Sequence, residues 1–311
     1  MDIGRKLIRL MDGAVNLAVL SILLLLLFYG CYAIWDSQQL YAAADNTQYE
    51  IYKPVDEDSA SFDELRKMNP EVFSWLTVYG TNIDYPLVQG TDNDKYVNTA
   101  ADGTYSLSGS LFLDYRNRND FSDFNSIIYG HHMDKKVMFG EIGDFKDEDY
   151  FDTHRYGTIY YAGEVYGIEF FAFLEISAYD TLYQPGITGA DEQEAYLERI
   201  RESAWNFREP GQAENQRLVL LSTCTSAITN GRHVLVGRIT DEVREDPFYQ
   251  ETEEKHLTGI DGKGTLWKRV QELPLWLIIL LILIILTLMS SLAAGICHRI
   301  RNNRKRTGGS V

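Results

Sequence analysis

Two charge-free apolar runs divide this chain and decide where everything else can lie. Ala14 to Ile34 and Leu273 to Ile296 contain no Asp, Glu, Lys or Arg and are rich in Leu and Ile. A helix of roughly 20 apolar residues crosses the hydrocarbon core of a bilayer, and each run is long enough. The second is apolar on all faces, which a soluble core helix of that length is not. Arg5, Lys6 and Arg9 precede the first run, and Arg299, Arg301, Arg304, Lys305 and Arg306 follow the second. Basic residues collect on the cytoplasmic side, so both termini are expected inside and the segment between the runs outside. Lys268 and Arg269 on the outer side run against that bias. The other reading of the first run is a cleaved leader, with Tyr41-Ala42-Ala43-Ala44 as the candidate cleavage site.

The expected layout is a cytoplasmic stretch 1–13, a span 14–35, a linker 36–60, an outer domain 61–240, a polar juxtamembrane segment 241–272, a span 273–297 and a basic tail 298–311. The chain carries a net charge of −16 and the two flanks +6, which leaves −22 between them. An outer domain this acidic is a poor partner for nucleic acid. It suits a basic substrate or an amine nucleophile, and it also fits a plain solvated surface.

Cysteine usage narrows the chemistry. Cys31 and Cys297 sit at the ends of the two runs, and Cys224 is the one cysteine of the outer domain. A lone thiol in an oxidising compartment belongs to no disulfide framework and is either buried and inert or a working nucleophile. No second thiol accompanies it for zinc, and no cofactor or metal is expected. Asp92 and Asp94 read as loop solvation rather than calcium ligands.

The outer domain reads as mainly β. Ser61 to Leu76 has helical spacing, with Ser61 as N-cap, Glu64 completing a capping box and Pro70 breaking the run in two. Eight short β-type runs follow: Thr77–Tyr79, Tyr85–Val88, Gly109–Leu113, Ser126–Tyr129, Gly157–Tyr161, Tyr166–Phe173, Leu218–Ser222 and Val234–Ile239. Many short strands with regular turns indicate a closed barrel or a sandwich. One helix interrupts them, Asp191 to Trp205, with Ala195, Leu197, Ile200 and Ala204 on one face.

Three reactive groups stand at strand edges: Cys224 ends one strand, Arg232 opens the next, and His131 follows Ile127-Ile128-Tyr129-Gly130. A thiol activated by an imidazole, with a fixed cation for the oxyanion, is a covalent acyl-transfer set. His131 and His132 are not expected to share a metal, because neighbours on a strand point to opposite faces. Taken singly, each residue has a plainer reading as a core thiol, a structural histidine or a surface arginine.

These residues resemble the active site of the class B sortases. Leu221-Ser222-Thr223-Cys224 is similar to the family's nucleophile strand, Arg232 stands where the family places its arginine, and Ile128-Tyr129-Gly130-His131-His132-Met133 is similar to the family's histidine motif, in which the histidine after glycine is catalytic. The resemblance extends over residues 61–240 and takes in Phe62-Asp63-Glu64-Leu65, Asn82-Ile83-Asp84-Tyr85-Pro86 and Leu111-Phe112-Leu113-Asp114-Tyr115-Arg116. It implies a closed eight-stranded sortase-type β-barrel with N-terminal helices and one inserted helix, flanked by the two transmembrane helices.

The resemblance further implies a cysteine transpeptidase. Cys224 would cleave a Thr–Gly-like bond in the C-terminal sorting motif of a surface protein and form a thioacyl enzyme, His131 would move the protons, and Arg232 would hold substrate or oxyanion. Asn93, Ser222 and Thr223 would line the substrate groove. The acceptor would be an amine of the peptidoglycan precursor or, because a C-terminal span is common among pilin-polymerising sortases, a pilin lysine. A cysteine peptidase and a non-catalytic membrane-bound binding domain are the remaining readings. Two features depart from the family pattern. Thr225 and Ser226 stand where some members carry an acid, so no carboxylate joins the set and the thiolate–imidazolium pair is expected to be a minority species with a bell-shaped pH profile. The second departure is the C-terminal span itself. The inhibitory lid of pilin-polymerising sortases would need an Asp-Pro-aromatic motif before the barrel; none stands in residues 36–60, and Asp246-Pro247-Phe248 follows the last strand and reads as coincidence.

Overall fold

The computed structural model describes residues 2–54, 60–210, 216–225 and 229–249. The chain divides into units 1–249 and 250–311. The expected second span, the basic tail, residues 250–272 and Ser226 lie outside the described residues.

Helix α1 (Asp2–Ala44) is continuous through the first apolar run. From Met11 to Ala44 it is long and apolar enough to cross a membrane, and its most apolar stretch is uncovered by the rest of the protein. Helix α2 (Ala60–Met68) follows, burying Phe62 and Leu65. The strands are β1 (Val72–Val78), β2 (Asp84–Val88), β3 (Leu111–Leu113), β4 (Asn125–Tyr129), β5 (Tyr156–Tyr161), β6 (Glu164–Ser177), β7 (Ala204–Phe207), β8 (Leu218–Thr225) and β9 (Gly231–Thr240), with α3 (Glu148–Thr153) before β5 and α4 (Ala190–Ser203) before β7.

Hydrogen bonding runs in the order β5-β1-β2-β3-β4-β8-β9-β6, and β6 returns to β5, so eight strands close a barrel. β7 is a ninth strand outside that ring. The 14-residue β6 makes this possible. Its first half pairs with β5, while Ala172 to Leu174 pair with β7 on the same edge. Its other edge follows β9 from Gly167 to Ser177. The pairs β2–β3 and β4–β8 are parallel.

Period-two alternation splits the apolar residues into two cores. Val219 and Leu221 of β8 join Leu76, Leu87, Ile128, Phe173 and Leu235 inside the barrel. Leu218 and Leu220 point outward and pack with Val234, Val236, Tyr196 and Ile200 beneath α4. The bulge between Phe170 and Ala172 shifts the phase of β6, so Phe171 and Ala172 both fall in the outer core.

Several expectations change. Val72 to Leu76 are strand, not a second helical half, because a turn at Pro70, closed by Val72 N–H to the Asn69 carbonyl at 3.1 Å, ends the helix and the stretch pairs with β2 and β5 in the barrel wall. Ser61 lies within the first turn of α2 and is not its N-cap. The inserted helix stops at Ser203, and Ala204 and Trp205 belong to β7, where Ala204 pairs with Leu174 of β6 and Trp205 sits at a bulge. Its buried face is Tyr196 and Ile200, while Ala195 is exposed. The linker expected over 36–60 is largely structured: α1 runs to Ala44, and Asn46–Gln48 and Glu50–Tyr52 form two short turns against the barrel. Residues 55–59, which include Asp56-Glu57-Asp58, lie outside the described residues.

Candidate active site

The β8–β9 ladder sets the first two reactive groups side by side. Cys224 and Arg232 are direct register partners, as are Ser222 and Val234. Partners in an antiparallel pair share a face. The outward phase of Leu218 and Leu220 therefore continues through Ser222 to Cys224. Cys224 is an exposed free thiol. Arg232 is half-buried and donates one guanidinium hydrogen bond, to the Gly231 carbonyl at 3.0 Å.

β4 brings the imidazole. It runs parallel to β8 with Tyr129 opposite Ser222, so His131, two residues beyond the strand end, keeps that phase and lies on the Cys224 side. Gly130 before it is required by packing: a Cβ there would come within 2.4 Å of Leu111 Cδ2 and 2.7 Å of Phe139 Cδ2. His131 Nε2 lies 2.8 Å from the Val97 carbonyl. A carbonyl only accepts, so Nε2 carries the proton and Nδ1 is left as the basic ring nitrogen. His132 points elsewhere. It is exposed, bridges to Met138 through its backbone and acts electrostatically on His233, which pairs with Glu175 at 3.4 Å.

His131, Cys224, Arg232, Asn93, Ser222 and Thr223 all line one cleft of about 320 Å³. A larger open depression of about 690 Å³ surrounds Arg217 and Asp241 at the start of β8, but no thiol or imidazole lines it. The structure thus gathers every residue that the sequence reading selected. Thr223 differs from the others in phase: it is 2 % exposed and faces His233, and its hydroxyl has no partner among the described residues. Its part in the cleft is at the floor.

The wall opposite Cys224 is organised by Asp114, a fully buried carboxylate. Arg116 grips it through Nε at 2.8 Å and a terminal nitrogen at 2.7 Å. Asn93 Nδ2 and the Tyr129 hydroxyl each donate to it at 3.0 Å. Burial pushes the Asp114 carboxyl upward, but the hydrogen bonds from Arg116 and Asn93 outweigh it and hold it below the usual carboxylate range. Burial, and then the Asp114 charge, raise the Tyr129 phenol, so it remains a neutral donor.

Tyr183 completes this wall. Its ring stacks on Tyr129 with centroids 6.2 Å apart, and its hydroxyl meets Ser222 Oγ at 2.7 Å. Tyr183 and the role of Asp114 escape sequence reasoning. Asp114 falls within a motif that carries the family resemblance, with Arg116 two residues on, but its partners Asn93 and Tyr129 lie 21 and 15 residues away and no local pattern links them. Tyr183 sits in a loop turn with no periodic signal.

The remaining motifs are structural. Asp92 accepts the backbone N–H groups of Asp94 and Lys95, both at 2.9 Å, which closes a turn. Asp246-Pro247-Phe248 lies away from the cleft: Phe248 stacks on His154 with centroids 4.6 Å apart, and the Arg244 carbonyl accepts from Tyr79 at 3.1 Å.

A closed barrel that sets a thiol beside a guanidinium, with an imidazole on the neighbouring strand, defines a cysteine acyl-transfer enzyme. No family model matches the chain. Sortase B of Listeria monocytogenes is 32 % identical over 180 residues, spanning 57 % of this chain and 72 % of that protein. Among solved structures, sortase B from the type II pilus of Streptococcus pneumoniae is 48 % identical, with a TM-score of 0.51, covering 58 % of this chain and 99 % of that one. A class B sortase of Streptococcus pyogenes involved in pilus biogenesis is 41 % identical, with a TM-score of 0.53, covering 57 % and 97 %. The chain belongs to the sortase B family and is a cysteine transpeptidase.

Proposed function

We propose that Cys224, His131 and Arg232 carry a two-step transpeptidation on a sorting motif. The observation behind this is their convergence on one cleft from three strands, with Cys224 and Arg232 in direct register. The Cys224 thiolate attacks the carbonyl carbon of a Thr–Gly-like amide. The oxyanion that forms is met by the Arg232 guanidinium, which keeps its charge at any relevant pH. The C–N bond breaks as His131 gives a proton to the leaving amine, and a thioester remains. The acceptor amine then loses a proton to His131 and attacks the thioester, and the Cys224 thiolate leaves. With Nε2 bonded to the Val97 carbonyl, Nδ1 is the ring atom that exchanges the proton. Asn93, Ser222, Tyr129 and Tyr183 shape the groove for the motif, and Thr223 supports its floor.

The donors are secreted surface proteins with a C-terminal sorting motif. For the acceptor, the 48 % and 41 % identities to pilus-linked class B sortases favour a pilin lysine over the wall-precursor amine that the sequence alone put first. The net charge of −22 between the flanks also suits an approaching lysine. The segment boundaries expected from sequence complete the proposal: spans at 14–35 and 273–297, both termini cytoplasmic and the catalytic domain outside.

The test uses the full chain in detergent with fluorogenic Leu-Pro-x-Thr-Gly and Asn-Pro-x-Thr peptides, with and without a lysine-bearing acceptor, and products read by mass spectrometry. Amide-exchanged product that disappears in Cys224→Ala is expected. Hydrolysis alone, unchanged by any acceptor, would make the protein a peptidase. No thioacyl adduct with any peptide would return the domain to the binding-module reading.

A further inference from the structure

The loop that follows His131 is held in an unfavourable shape. Lys135, Lys136 and Met138 all have positive φ, at 60°, 60° and 53°. Non-glycine residues adopt this conformation at a cost and keep it only where the surroundings over-determine it. Part of the constraint is internal. Phe139 N donates to the His131 carbonyl at 3.0 Å, and His132 bridges to Met138. Phe139 also occupies the space that keeps residue 130 a glycine. The geometry of His131 thus depends directly on where Met138 and Phe139 sit.

The rest of the constraint comes from the end of α1. Tyr85, 2 % exposed, places its hydroxyl between the two segments. It accepts from Met138 N at 3.0 Å and donates to the Ala44 carbonyl at 2.9 Å. Both single-atom partners are backbone groups, so the bridge reads position rather than side-chain identity. Burial raises the Tyr85 phenol, which stays neutral and keeps its proton for Ala44. A second contact reaches the loop from outside: the Lys135 ammonium lies 4.1 Å from the centroid of the Tyr41 ring. Ser108 and Gln48 both donate to the Ala43 carbonyl, which fixes the end of the helix against the barrel.

We propose that the last turn of α1, Tyr41 to Ala44, is a positioning element for His131, acting through the Tyr85 hydroxyl and the 131–139 loop. This rests on the reading of His131 as the proton-transfer residue. Since α1 is one unbroken helix from the apolar run to Ala44, the segment entering the bilayer and the segment seating the histidine loop are the same rigid body. The barrel is therefore not a freely tethered enzyme on a flexible stalk. Its reactive pair is tuned by the helix that anchors it.

The test follows alkylation of Cys224 by iodoacetamide in the full chain in detergent, from pH 5 to 10, with the modified peptide quantified by mass spectrometry. Peptide turnover is measured alongside, with kcat and KM separated. Tyr85→Phe removes only the bridging hydroxyl. It is expected to lower kcat about tenfold, the rate equivalent of one buried hydrogen bond left unmade, with KM unchanged and the alkylation profile shifted. Tyr41→Leu, at a half-buried ring, is expected to move both readouts the same way by about threefold. The double variant should be no worse than Tyr85→Phe alone, because both act on one loop. If Tyr85→Phe does not fold, Tyr41→Leu carries the test. A merely structural role would lower the melting temperature and leave the alkylation profile in place. Wild-type kcat and a wild-type profile in Tyr41→Leu and Tyr85→Phe would overturn the proposal. His131→Ala separates the two ideas: if it alkylates and turns over as the wild type does, the reading of His131 fails, whereas a disabled His131→Ala beside wild-type loop variants sinks this inference alone.

Discussion

On one side of the cleft Asp114 accepts hydrogen bonds from Arg116, Asn93 and Tyr129, and Tyr129 in turn stacks on Tyr183. On the other side the Cys224 thiol makes no hydrogen bond among the described residues, and the Arg232 guanidinium makes one, to the carbonyl of its neighbour Gly231. A buried carboxylate without partners costs several kcal/mol, so the Asp114 wall has to be fully bonded to exist. The roles proposed for Cys224 and Arg232, nucleophile and oxyanion donor, require side chains that keep their bonding capacity for substrate, and the β8–β9 register rather than side-chain partners sets their positions. One wall is over-determined and the other is held in place by its backbone.

Substitutions can break this contrast. Cys224→Ala should abolish transpeptidation, by at least about a thousandfold in mass-spectrometric product assays, with an unchanged urea midpoint because the side chain is exposed. A fall in the midpoint would show that Cys224 is part of the scaffold after all. Arg232→Lys keeps the charge and loses the planar fork, and should lower kcat roughly a hundredfold. Retained activity would mean that charge alone suffices at that position.

The opposite wall should respond in stability and KM. Asp114→Asn should raise KM about tenfold and lower the unfolding free energy by about 1–2 kcal/mol, a figure discounted because the Arg116 side chain is 42 % exposed. The carboxyl of Asp114 is held low in the fold, so its contribution is present above the ordinary carboxylate range and is lost as pH falls through its lowered value. The urea midpoint should therefore drop below about pH 4, and Asp114→Asn should flatten that acid limb. A wild-type limb in the variant would assign it to other carboxylates, of which Glu169 between Arg155 and Arg238 is the first candidate. Arg118→Ala, at an exposed pair with Asp120, should change neither activity nor midpoint.

Seven of the eight barrel strands were legible because each shows as a short apolar run between turn residues, with boundaries a few residues off, whereas only the end of β1, Thr77–Val78, showed as strand. Cys224, Arg232 and His131 stood out as candidates because a strand end next to a reactive side chain is a local pattern, and the structure brings all three to one cleft. What failed was local preference overruled by the sheet. Val72–Leu76 looked helical until β2 and β5 paired with it, and Ala204–Trp205 continued the periodicity of α4 until the long edge of β6 claimed them.

The sequence by itself therefore determined the apolar run of α1, most of the strand content of the barrel and the choice of Cys224, His131 and Arg232 as candidates, all of which are encoded within a few adjacent residues. Only the tertiary structure decided that Asp114 anchors Asn93 and Tyr129, that Tyr183 faces Ser222, and that Tyr85 joins Ala44 to Met138. These partners are separated by 15 to 53 residues along the chain. No local pattern can announce such pairs, because barrel closure alone brings buried donors and acceptors together, and burial then obliges them to bond.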